Sequence, residues 1–306
     1  MTDNTSSTGM MQDKVVVVTG GGRGIGREIA LLMAVEGAKV MVNDLGADLD
    51  GGGADQGPAH DVAQEIKATG GEAGYNTEDV SKGSCAENLI TATISEFGRI
   101  DAVINNAGIL RDTVFHKMDE AAWNAVINVN LTGCYNVARA AATHFREQES
   151  GAFVHMTSVS GLIGNFGQAN YAAAKMGVAG LSRSIAIDLA RYNVRSNCMS
   201  PSGFTRMIGS IPITSDEQAK EFERLKEEMR PEMNAPLVVF LASDAAKDIT
   251  GQIFATSGNH YYLLDQPRPV VSEFRDKWTP EMVANEFLGK ISDKLTPLET
   301  LNDVLD

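Results

Sequence analysis

Four consecutive valines, Val15 to Val18, lead directly into a turn that contains five glycines, Thr19 to Gly26. An apolar run of this kind is typical of a buried strand, and the residues from Ile25 to Glu36 have the apolar spacing of a helix. Glycines between a strand and a helix let the backbone approach a pyrophosphate, whose charge the helix N-terminus stabilises. A generic glycine-rich loop would not explain the strand and the helix on either side. The turn therefore predicts a dinucleotide site, held by Gly20, Arg23, Gly24, Ile25 and Gly26.

The alternation of apolar strand-like runs with helix-like stretches continues to about residue 258. The predicted strands are Lys14–Thr19, Lys39–Asn43, Glu72–Thr77, Ala102–Asn105, Phe153–Thr157, Arg195–Met199 and, as the last one, Gln252–Thr256. This rhythm predicts an α/β fold, a single Rossmann-like doubly wound parallel sheet with helices on both faces. Ligands of such sheets bind at the carboxyl ends of the strands. We therefore expect one crevice that collects Gly26, Asp44, Asn105, Ser158 and Pro201.

The flanks of this pattern predict two further segments. Residues 1–12 are polar, lack the apolar block of a secretory signal, and are expected to form a flexible tail. The Rossmann-like domain then covers residues 13–258, with a lid at about 203–232. Residues 259–306 break the rhythm and include an amphipathic stretch, Pro280–Leu288. We expect this C-terminal extension to wrap this subunit or a neighbour, with disorder at its end as the alternative.

Composition excludes several classes of function. The net charge of −14, from 26 basic and 40 acidic side chains, disfavours a nucleic-acid partner. No run of eighteen apolar residues is present, so we expect no membrane span and a cytoplasmic protein. Cysteines and histidines have no metal-ligand spacing and are expected to be reduced thiols and ordinary surface or core residues: Cys85, Cys134, Cys198, His116, His144, His155 and His260.

Acidic residues after two strands bear on the cofactor. Asp44 ends the second predicted strand, about twenty residues after the glycines, where a carboxylate accepts hydrogen bonds from the adenosine ribose. A carboxylate there repels the 2′-phosphate of NADP, so Asp44 favours NAD. Arg23 points the other way, because a cation in the turn could meet a phosphate. Asp79 and Val80 follow the third strand and could flank the adenine, although an ordinary loop is nearly as good an interpretation.

Tyr171 and Lys175 are spaced one helical turn apart, so both lie on one face of a helix. The pKa of a free tyrosine is about 10. A neighbouring ammonium and the positive nicotinamide ring favour the phenolate, which can take the proton of an alcohol as hydride leaves for the cofactor. Ser158 would hold the substrate oxygen, and Lys175 would also hold the nicotinamide ribose. A surface Tyr/Lys pair would not explain the accompanying Ser158 and glycine turn.

At this point the chain resembles the short-chain dehydrogenase/reductase family, classical type, over roughly residues 13–258. The resemblance rests on the glycine turn, Asn105-Asn106-Ala107-Gly108, Ser158 thirteen residues before Tyr171, and the Tyr-x-x-x-Lys unit. It implies that Asn130 holds a proton-relay water through its helix, although spacing alone favours a core or cap residue. It also implies cofactor contacts from Asn106, Ala107, Gly108, Tyr171, Lys175, Pro201, Gly203 and Thr205. Here Pro201-Ser202-Gly203 replaces the usual Pro-Gly of the family.

A narrower resemblance is carried by Val42–Gly46, Asn106–Asp112 and Gly164–Tyr171. These segments look like the (3R)-hydroxyacyl-CoA dehydrogenase part of peroxisomal multifunctional enzyme type 2 (17β-hydroxysteroid dehydrogenase type 4) and its bacterial stand-alone relatives. The resemblance implies NAD-dependent oxidation of a secondary alcohol to a ketone, with a (3R)-3-hydroxyacyl-CoA as the leading substrate. A hydroxysteroid or an alicyclic, terpenoid-like alcohol is the alternative, and a non-catalytic cofactor-binding protein the third reading.

Further expectations concern the surroundings of this site. No hydratase or sterol-carrier domain follows, so the chain is expected to be a stand-alone dehydrogenase that forms a homodimer or homotetramer. An acidic protein needs a local basic patch to bind CoA phosphates, for which the candidates are Arg111, Lys117, Arg206 and Arg268. An acyl chain or a ring would contact bulky apolar side chains such as Phe166, Phe204, Met207 and Ile208.

Overall fold

The computed structural model describes residues 9–48, 50–53, 55–203, 215–300 and residue 304. In this part of the chain the strands are β1 Val15–Thr19, β2 Lys39–Asn43, β3 Glu72–Asn76, β4 Ala102–Asn105, β5 Gly151–Met156, β6 Val194–Ser200, β7 Ile253–Ser257 and β8 His260–Leu264. The helices are α1 Gly24–Val35, α2 Gly57–Ala68, α3 Gly83–Phe97, α4 Glu120–Ile127, α5 Gly133–Gln148, α6 Val159–Leu162, α7 Ala169–Leu189, α8 Asp216–Glu228, α9 Ala235–Ala242, α10 Pro280–Met282 and α11 Leu288–Ile291. None of these helices is long and apolar enough to cross a membrane.

The strands form one sheet in the order β3-β2-β1-β4-β5-β6-β7-β8. Strands β1 to β7 are parallel, which confirms the predicted doubly wound sheet, and their bounds agree with the prediction to within two residues. The chain builds outward from β1 to β3 and then returns to the other side of β1. A crevice opens where the strand order reverses, at the carboxyl ends of β1 and β4. Thr19, Asn43 and Asn105 are level there.

The prediction of a last strand at Gln252–Thr256 was wrong, because β8 follows β7 and pairs with it in the antiparallel direction. Gly258, which has a φ of 53°, forms the tight turn between the two strands. Two residues of type Gly-Asn between two short runs are a hairpin signal, and the prediction overlooked it. Most side chains of β8 are exposed or partly exposed, so the strand lacks the buried apolar run by which the others were found.

The central strand β1 shows why the sheet reads as continuous apolar runs. Val16 and Val18 pack beneath α1, α2 and α9, whereas Val17 packs on the other face beneath α3 and α5. Both faces of a parallel sheet are covered, so every position in β1 is buried. Full burial of one valine side chain stabilises the fold by roughly 1.5–3 kcal/mol. The two cores therefore fix the sheet, and with it the positions of the loops at its carboxyl edge.

The segments outside the parallel sheet were predicted as an N-terminal tail, a lid and a C-terminal extension. Residues 1–8 lie outside the described part of the chain, but Met11, inside the predicted tail, is fully buried in the core. Its backbone N–H donates to Glu36 O at 2.9 Å. The amphipathic stretch from Pro280 is helical through α10, a π-helical turn and α11. Of the predicted lid, residues 204–214 lie outside the described residues, and α8 follows them.

Candidate active site

The glycine turn between β1 and α1 is packed too closely for side chains. A β-carbon at Gly26 would stand 2.1 Å from Gly20 O and 2.4 Å from Asn106 Nδ2. Gly20 itself has a φ of 61°, a left-handed conformation that glycine adopts without strain. The Asn106 amide donates to Thr19 O at 3.1 Å and to Gly20 O at 2.9 Å, so the loop after β4 holds the turn in place.

The N-terminus of α1 fits the pyrophosphate of a dinucleotide. Arg23 occupies the N-cap position in an extended conformation, and its side chain makes no capping hydrogen bond. The first N–H groups of α1 therefore keep their capacity to bind an anion. Glycines at 22 and 26, where a β-carbon would clash with Pro58 and with Gly20 O, let the backbone of the turn pass close to these donors without side chains. The residues present thus fit the phosphate group predicted from the sequence.

Asp44 lies at the carboxyl end of β2 and faces this turn. Its Oδ2 accepts a hydrogen bond from Gly22 N at 2.9 Å, and its Oδ1 accepts one from Gly46 N at 2.7 Å. The two bonds fix the carboxylate beside the N-terminal end of α1. A cavity of about 410 Å³ adjoins it, lined by Gly22, Arg23, Arg27, Asp55, Gly57, Pro58, Asp61, Val62 and Glu65.

The two arginines of this cavity are already engaged. Arg27 forms an ion pair with Glu65 at 2.7 Å and a second one with Glu28. Arg23 donates to Ala47 O at 3.3 Å. Asp55 and Asp61 add two carboxylates to the cavity, while the guanidinium of Arg23 keeps its positive charge.

The loop after β3 packs against α5 rather than standing free. Asp79 Oδ1 accepts hydrogen bonds from the backbone N–H and the hydroxyl of Ser81, at 3.0 and 2.7 Å. Val80 is buried, and its carbonyl accepts from Asn136 Nδ2 at 3.0 Å. The carboxylate of Asp79 therefore organises its own loop, and a contact of Asp79 and Val80 with an adenine stays a prediction.

Asn130 contacts the loop after β4 at the edge of the crevice. Asn130 lies in a π-helical turn, Asn128–Thr132, which joins α4 to α5. Its Oδ1 accepts from Ile109 N at 3.1 Å, and its Nδ2 donates to Ile109 O at 2.9 Å and to Val126 O at 3.1 Å. All of its amide groups are thus engaged, so any bound water would be held by the backbone of the turn. Such turns occur frequently at functional sites.

Ser158, Tyr171 and Lys175 meet beyond the carboxyl end of β5. Ser158 occupies the N-cap position of α6, where its Oγ accepts from Ser160 N at 3.2 Å. The buried Lys175 donates from Nζ to Met156 O at 2.7 Å, and its Nζ lies 5.5 Å from the centroid of the Tyr171 ring. An ammonium group has three donors, so two remain for other partners.

Burial is the main cause of the pKa shifts of Tyr171 and Lys175. Burial raises the pKa of Tyr171 to about 12, a hydrogen bond with Ser158 opposes the shift, and the charge of Asp112 adds to it. Burial also lowers the pKa of Lys175 to about 8. The expectation that Lys175 and the oxidised cofactor together favour the phenolate stays a prediction. Desolvation of the phenolate outweighs a charge at this distance.

The segment after β6 closes the crevice on the opposite side. The backbone N–H of Ser202 is held by Asn234 Oδ1 at 3.1 Å and by Thr256 Oγ1 at 3.2 Å. A β-carbon at Gly203 would stand 3.2 Å from Ile25 Cδ1, so Pro201-Ser202-Gly203 packs on the glycine turn. Thr205 lies outside the described residues. Sequence reasoning missed Asn234 and Thr256, because they lie far from the motif that they support.

A buried polar cluster lies beneath Ser158, Tyr171 and Lys175. His155 Nδ1 is 3.1 Å from Asn105 Nδ2 and 3.2 Å from Cys134 Sγ. Burial lowers the pKa of His155 to about 3, so the imidazole is neutral in the folded protein. The three cysteines are free, and the described residues contain no group of three His, Cys, Asp or Glu side chains suited to a metal ion.

The geometry described above agrees with comparisons of the whole chain. A sequence profile described as short chain dehydrogenase matches residues 14–213. The chain belongs to the short-chain dehydrogenase family. This dehydrogenase is 44% identical over 277 residues to a short-chain type dehydrogenase/reductase of Mycobacterium tuberculosis, a match that covers 88% of this chain and 93% of that protein. The family predicted from the sequence motifs is therefore confirmed, and the protein is an NAD(P)-dependent dehydrogenase.

Two further comparisons bear on the narrower resemblance. The dehydrogenase is 38% identical to the peroxisomal multifunctional enzyme type 2 of Mus musculus; the match covers 92% of this chain and 37% of the mouse protein. It thus spans little more than a third of that relative. The crystal structure of a short chain dehydrogenase from Mycobacterium avium superposes with a TM-score of 0.81 at 35% identity, covering 94% of this chain and 98% of the other.

Proposed function

We propose that this dehydrogenase oxidises a secondary alcohol to a ketone with NAD as the hydride acceptor. The observation that carries the proposal is the convergence of Ser158, Tyr171 and Lys175 beside an uncapped glycine turn. When bound, the cofactor accepts the hydride from the alcohol carbon. A non-catalytic role is disfavoured, because the serine, the tyrosine and the lysine are all present and adjacent.

The proton chemistry is assigned to residues of the chain. Ser158 donates a hydrogen bond to the substrate oxygen, and the phenolate of Tyr171 takes the hydroxyl proton. The two N–H donors that Lys175 keeps can hold the nicotinamide ribose, and its charge favours the phenolate. Since the pKa of Tyr171 is about 12 in the free protein, oxidation depends on the added positive charge of the oxidised cofactor.

A route for the proton from Tyr171 to solvent is assigned to the turn that contains Asn130. A β-carbon at Gly108 would stand 2.4 Å from Asn130 Oδ1 and 3.8 Å from Lys175 Nζ, so the two side chains flank one glycine. We assign the backbone of this turn to hold a relay water next to Lys175. The fully engaged amide of Asn130 supports the backbone as the ligand.

The choice of NAD over NADP is supported by the charges at the adenosine side of the crevice. Asp44 is fixed there by two backbone donors, and Asp55, Asp61 and Glu65 line the adjoining cavity. Arg23 was a candidate for a 2′-phosphate, but its guanidinium donates to a backbone carbonyl. Because that carbonyl leaves the positive charge of Arg23 unpaired among the described residues, Arg23 opposes this preference, and the proposal of NAD rests on the carboxylate of Asp44 beside the turn.

A (3R)-3-hydroxyacyl-CoA is the proposed substrate, supported by the similarity to multifunctional enzyme type 2 over nearly the whole of this chain. Phe166, 81% exposed in the loop between Ser158 and Tyr171, offers apolar surface to an acyl chain. The same surface suits a ring alcohol, which remains the second candidate. Of the proposed basic patch, Arg268 lines a separate cavity of about 630 Å³ between α7 and β8, which none of the catalytic residues lines. Arg206 lies outside the described residues.

The test is NADH formation at alkaline pH against paired panels of 3-hydroxyacyl-CoA esters and of steroid or cyclic alcohols, with NADP in parallel. We expect turnover of the (3R) thioesters with NAD. Turnover of ring alcohols alone would overturn the thioester assignment and leave the alcohol chemistry intact. Faster turnover with NADP would contradict the assigned role of Asp44.

A homodimer or homotetramer is proposed as well, with the layer formed by α4, α5 and α7 as the contact surface. Large apolar side chains are exposed on these helices: Trp123, Tyr135, Met176 and Ile187. Contiguous exposed apolar surface is typical of protein interfaces. Light scattering of the purified dehydrogenase and of a Tyr135→Lys, Ile187→Glu variant tests this surface; an unchanged mass would contradict it. The cytoplasmic location stays a prediction of the sequence.

A further inference from the structure

The long loop between β2 and α2 is fixed at its base beside the glycine turn. The Asp44 carboxylate binds both this turn and Gly46 N, as described above. Asp55 N donates to Leu45 O at 3.0 Å, and a β-carbon at Gly46 would stand 1.8 Å from Asp55 O. The two ends of the loop are therefore in contact with each other, next to the position predicted for the adenosine ribose.

The tip of the same loop reaches the loop after β4. Arg111 Nε donates to Asp50 O at 2.8 Å. A β-carbon at Gly51 would stand 2.9 Å from Ile109 Cδ1, so the tip rests directly on Ile109. Ile109 is buried, and the amide of Asn130 bonds both its N–H and its carbonyl. Since β1 lies between β2 and β4 in the sheet, the loop spans the carboxyl end of β1, where the glycine turn begins.

The residue that holds the tip is itself held by α7. Arg111 O accepts from Nδ2 of the fully buried Asn170 at 3.0 Å, and Asn170 Oδ1 accepts from Tyr171 N at 2.8 Å. Asp112 adds a second bond to this helix, because its Oδ2 accepts from Gln168 Nε2 at 2.7 Å. One chain of hydrogen bonds therefore joins the loop after β2 to the turn of α7 that carries Tyr171.

This geometry gives Arg111 a different role from the one that the sequence indicated. The basic patch assigned Arg111 to the phosphates of CoA, on the substrate side of the site. In the structure its Nε is directed at the backbone of the loop that begins at Asp44, on the cofactor side. The two roles predict different kinetic effects, since one concerns the alcohol substrate and the other the dinucleotide.

We propose that Arg111 is a positioning residue, which fastens the loop after β2 across the crevice and thereby retains the bound dinucleotide. The inference rests on the proposed function, in which the dinucleotide occupies the crevice between Asp44 and Tyr171. Arg111 acts through the backbone of the loop, so the role requires no contact between its guanidinium and the cofactor. Loss of the side chain should weaken cofactor binding and leave the binding of the alcohol unchanged.

The variant Arg111→Ala tests the role of the side chain in the full-length protein. We expect the Kd for NADH, measured by nucleotide fluorescence, and the KM for NAD to rise about tenfold, in line with the loss of one hydrogen bond from a charged donor. The KM for the alcohol should not change. Arg111→Lys keeps a cationic donor and should restore most of the affinity. Arg191→Ala is the matched control, because Arg191 lies in the short helical turn at the opposite end of α7.

A raised KM for a CoA ester with an unchanged Kd for NADH would overturn the proposal and place Arg111 in the phosphate patch. Equal losses of affinity in Arg111→Lys and Arg111→Ala would also overturn it, because the lysine can still donate to the carbonyl.

A second pair of variants perturbs the same contact from the loop. Gly51 and Gly53 have φ values of 88° and 75°, so alanine at either position adopts a left-handed conformation at similar cost. Only Gly51→Ala pushes a methyl group against Ile109, because the atom nearest to a β-carbon at Gly53 is Asp48 Oδ2, at 3.7 Å. The Kd for NADH should therefore rise several-fold more in Gly51→Ala than in Gly53→Ala. Equal values would contradict the contact of the tip as the cause.

Hydrogen–deuterium exchange of the ligand-free protein distinguishes failure of this inference from failure of the proposed function. The amides of Asp48 and Gly51 are bonded within the loop, at 2.7 Å to Gly52 O and 3.0 Å to Asp48 O. Peptides that contain these amides should exchange several-fold faster in Arg111→Ala than in Arg191→Ala, since a released tip opens more often. Equal exchange overturns the inference whatever the turnover. Faster exchange and weaker NADH binding, without turnover of any alcohol, would overturn only the proposed function.

Discussion

Gly108 and Asn130 fit so closely that a β-carbon on Gly108 would stand 2.4 Å from Asn130 Oδ1. The same side chain of Asn130 bonds both the N–H and the carbonyl of Ile109, at 3.1 and 2.9 Å. Because position 108 is a glycine, the loop after β4 and the π-helical turn of Asn130 meet directly beside Lys175. A side chain at this point would have to displace the amide from its partners.

The first prediction is that Gly108→Ala costs about 1–3 kcal/mol of unfolding free energy, because a methyl group is forced into a packed contact. Turnover should fall more than tenfold, since the turn that flanks Lys175 shifts. Gly180→Ala is the control, because nothing lies within 4 Å of a β-carbon there and the site is on the exposed side of α7. That variant should gain about 0.5–1 kcal/mol from helix propensity. Equal denaturation midpoints for the two variants would contradict the packing argument.

The second prediction concerns the proton carrier. Tyr171→Phe should retain NADH binding, measured by nucleotide fluorescence, and lose turnover by a factor of about 10²–10⁴, the usual contribution of a general acid or base. Tyr261→Phe, on the exposed edge strand β8, removes the same hydroxyl and should leave turnover unchanged. Turnover of Tyr171→Phe at the level of the control would disprove the mechanism.

The third prediction concerns the discrimination between NAD and NADP. Asp44→Asn removes the charge beside the glycine turn but keeps an oxygen that can accept from Gly22 N or Gly46 N. The ratio of kcat/KM for NAD to that for NADP should fall about tenfold, equivalent to about 1.4 kcal/mol. Asp50→Asn is the control in the same loop. Among the described residues, the Asp50 carboxylate accepts from Gly52 N at 3.0 Å, so its loss should not change the ratio of kcat/KM for NAD to that for NADP.

The fourth prediction concerns stability in acid. Burial lowers the pKa of His155 to about 3, below the value of about 6.5 expected in the unfolded chain, so the unfolded state binds the additional proton. The contribution of His155 is complete above pH 6.5 and is lost as the pH falls below that value. Between pH 6.5 and 5 the loss is about 2 kcal/mol, at about 1.4 kcal/mol for each pH unit.

Urea unfolding of His155→Asn over this range checks the effect, with His144→Asn as the control on the outer layer. The slope of unfolding free energy against pH should be smaller in His155→Asn than in the control. Parallel slopes would mean that other groups account for the acid sensitivity.

Particular residues show what the sequence could predict. The central strands β1, β2 and β4 were found because almost all of their residues are buried, and burial on both faces requires an apolar run. Ser158, Tyr171 and Lys175 were found because strand ends and helical spacing are local properties. In contrast, β8 is an exposed edge strand whose side chains need not be apolar.

The remaining features depend on contacts that sequence spacing does not contain. Asp112 and Gln168 are 56 positions apart, and neither residue type is unusual in a loop. The raised pKa of Tyr171 follows from burial, which no neighbour in the sequence indicates. The π-helical turn at Asn128–Thr132 lies between two α-helices, and its sequence does not differ from that of an ordinary helix.

The π-helical turn at Asn128–Thr132 contains one residue more than a regular helical turn, within the continuous segment that joins α4 to α5. Deletion of a single residue between Asn128 and Thr132 would restore regular winding and leave the register intact, whereas regular winding with all five residues kept would rotate everything beyond them by about 100°. Val137, Ala141 and Phe145, which pack on the sheet from α5, would then turn away from it. The wide winding at Asn128–Thr132 therefore keeps the apolar face of α5 directed at the sheet despite one surplus residue.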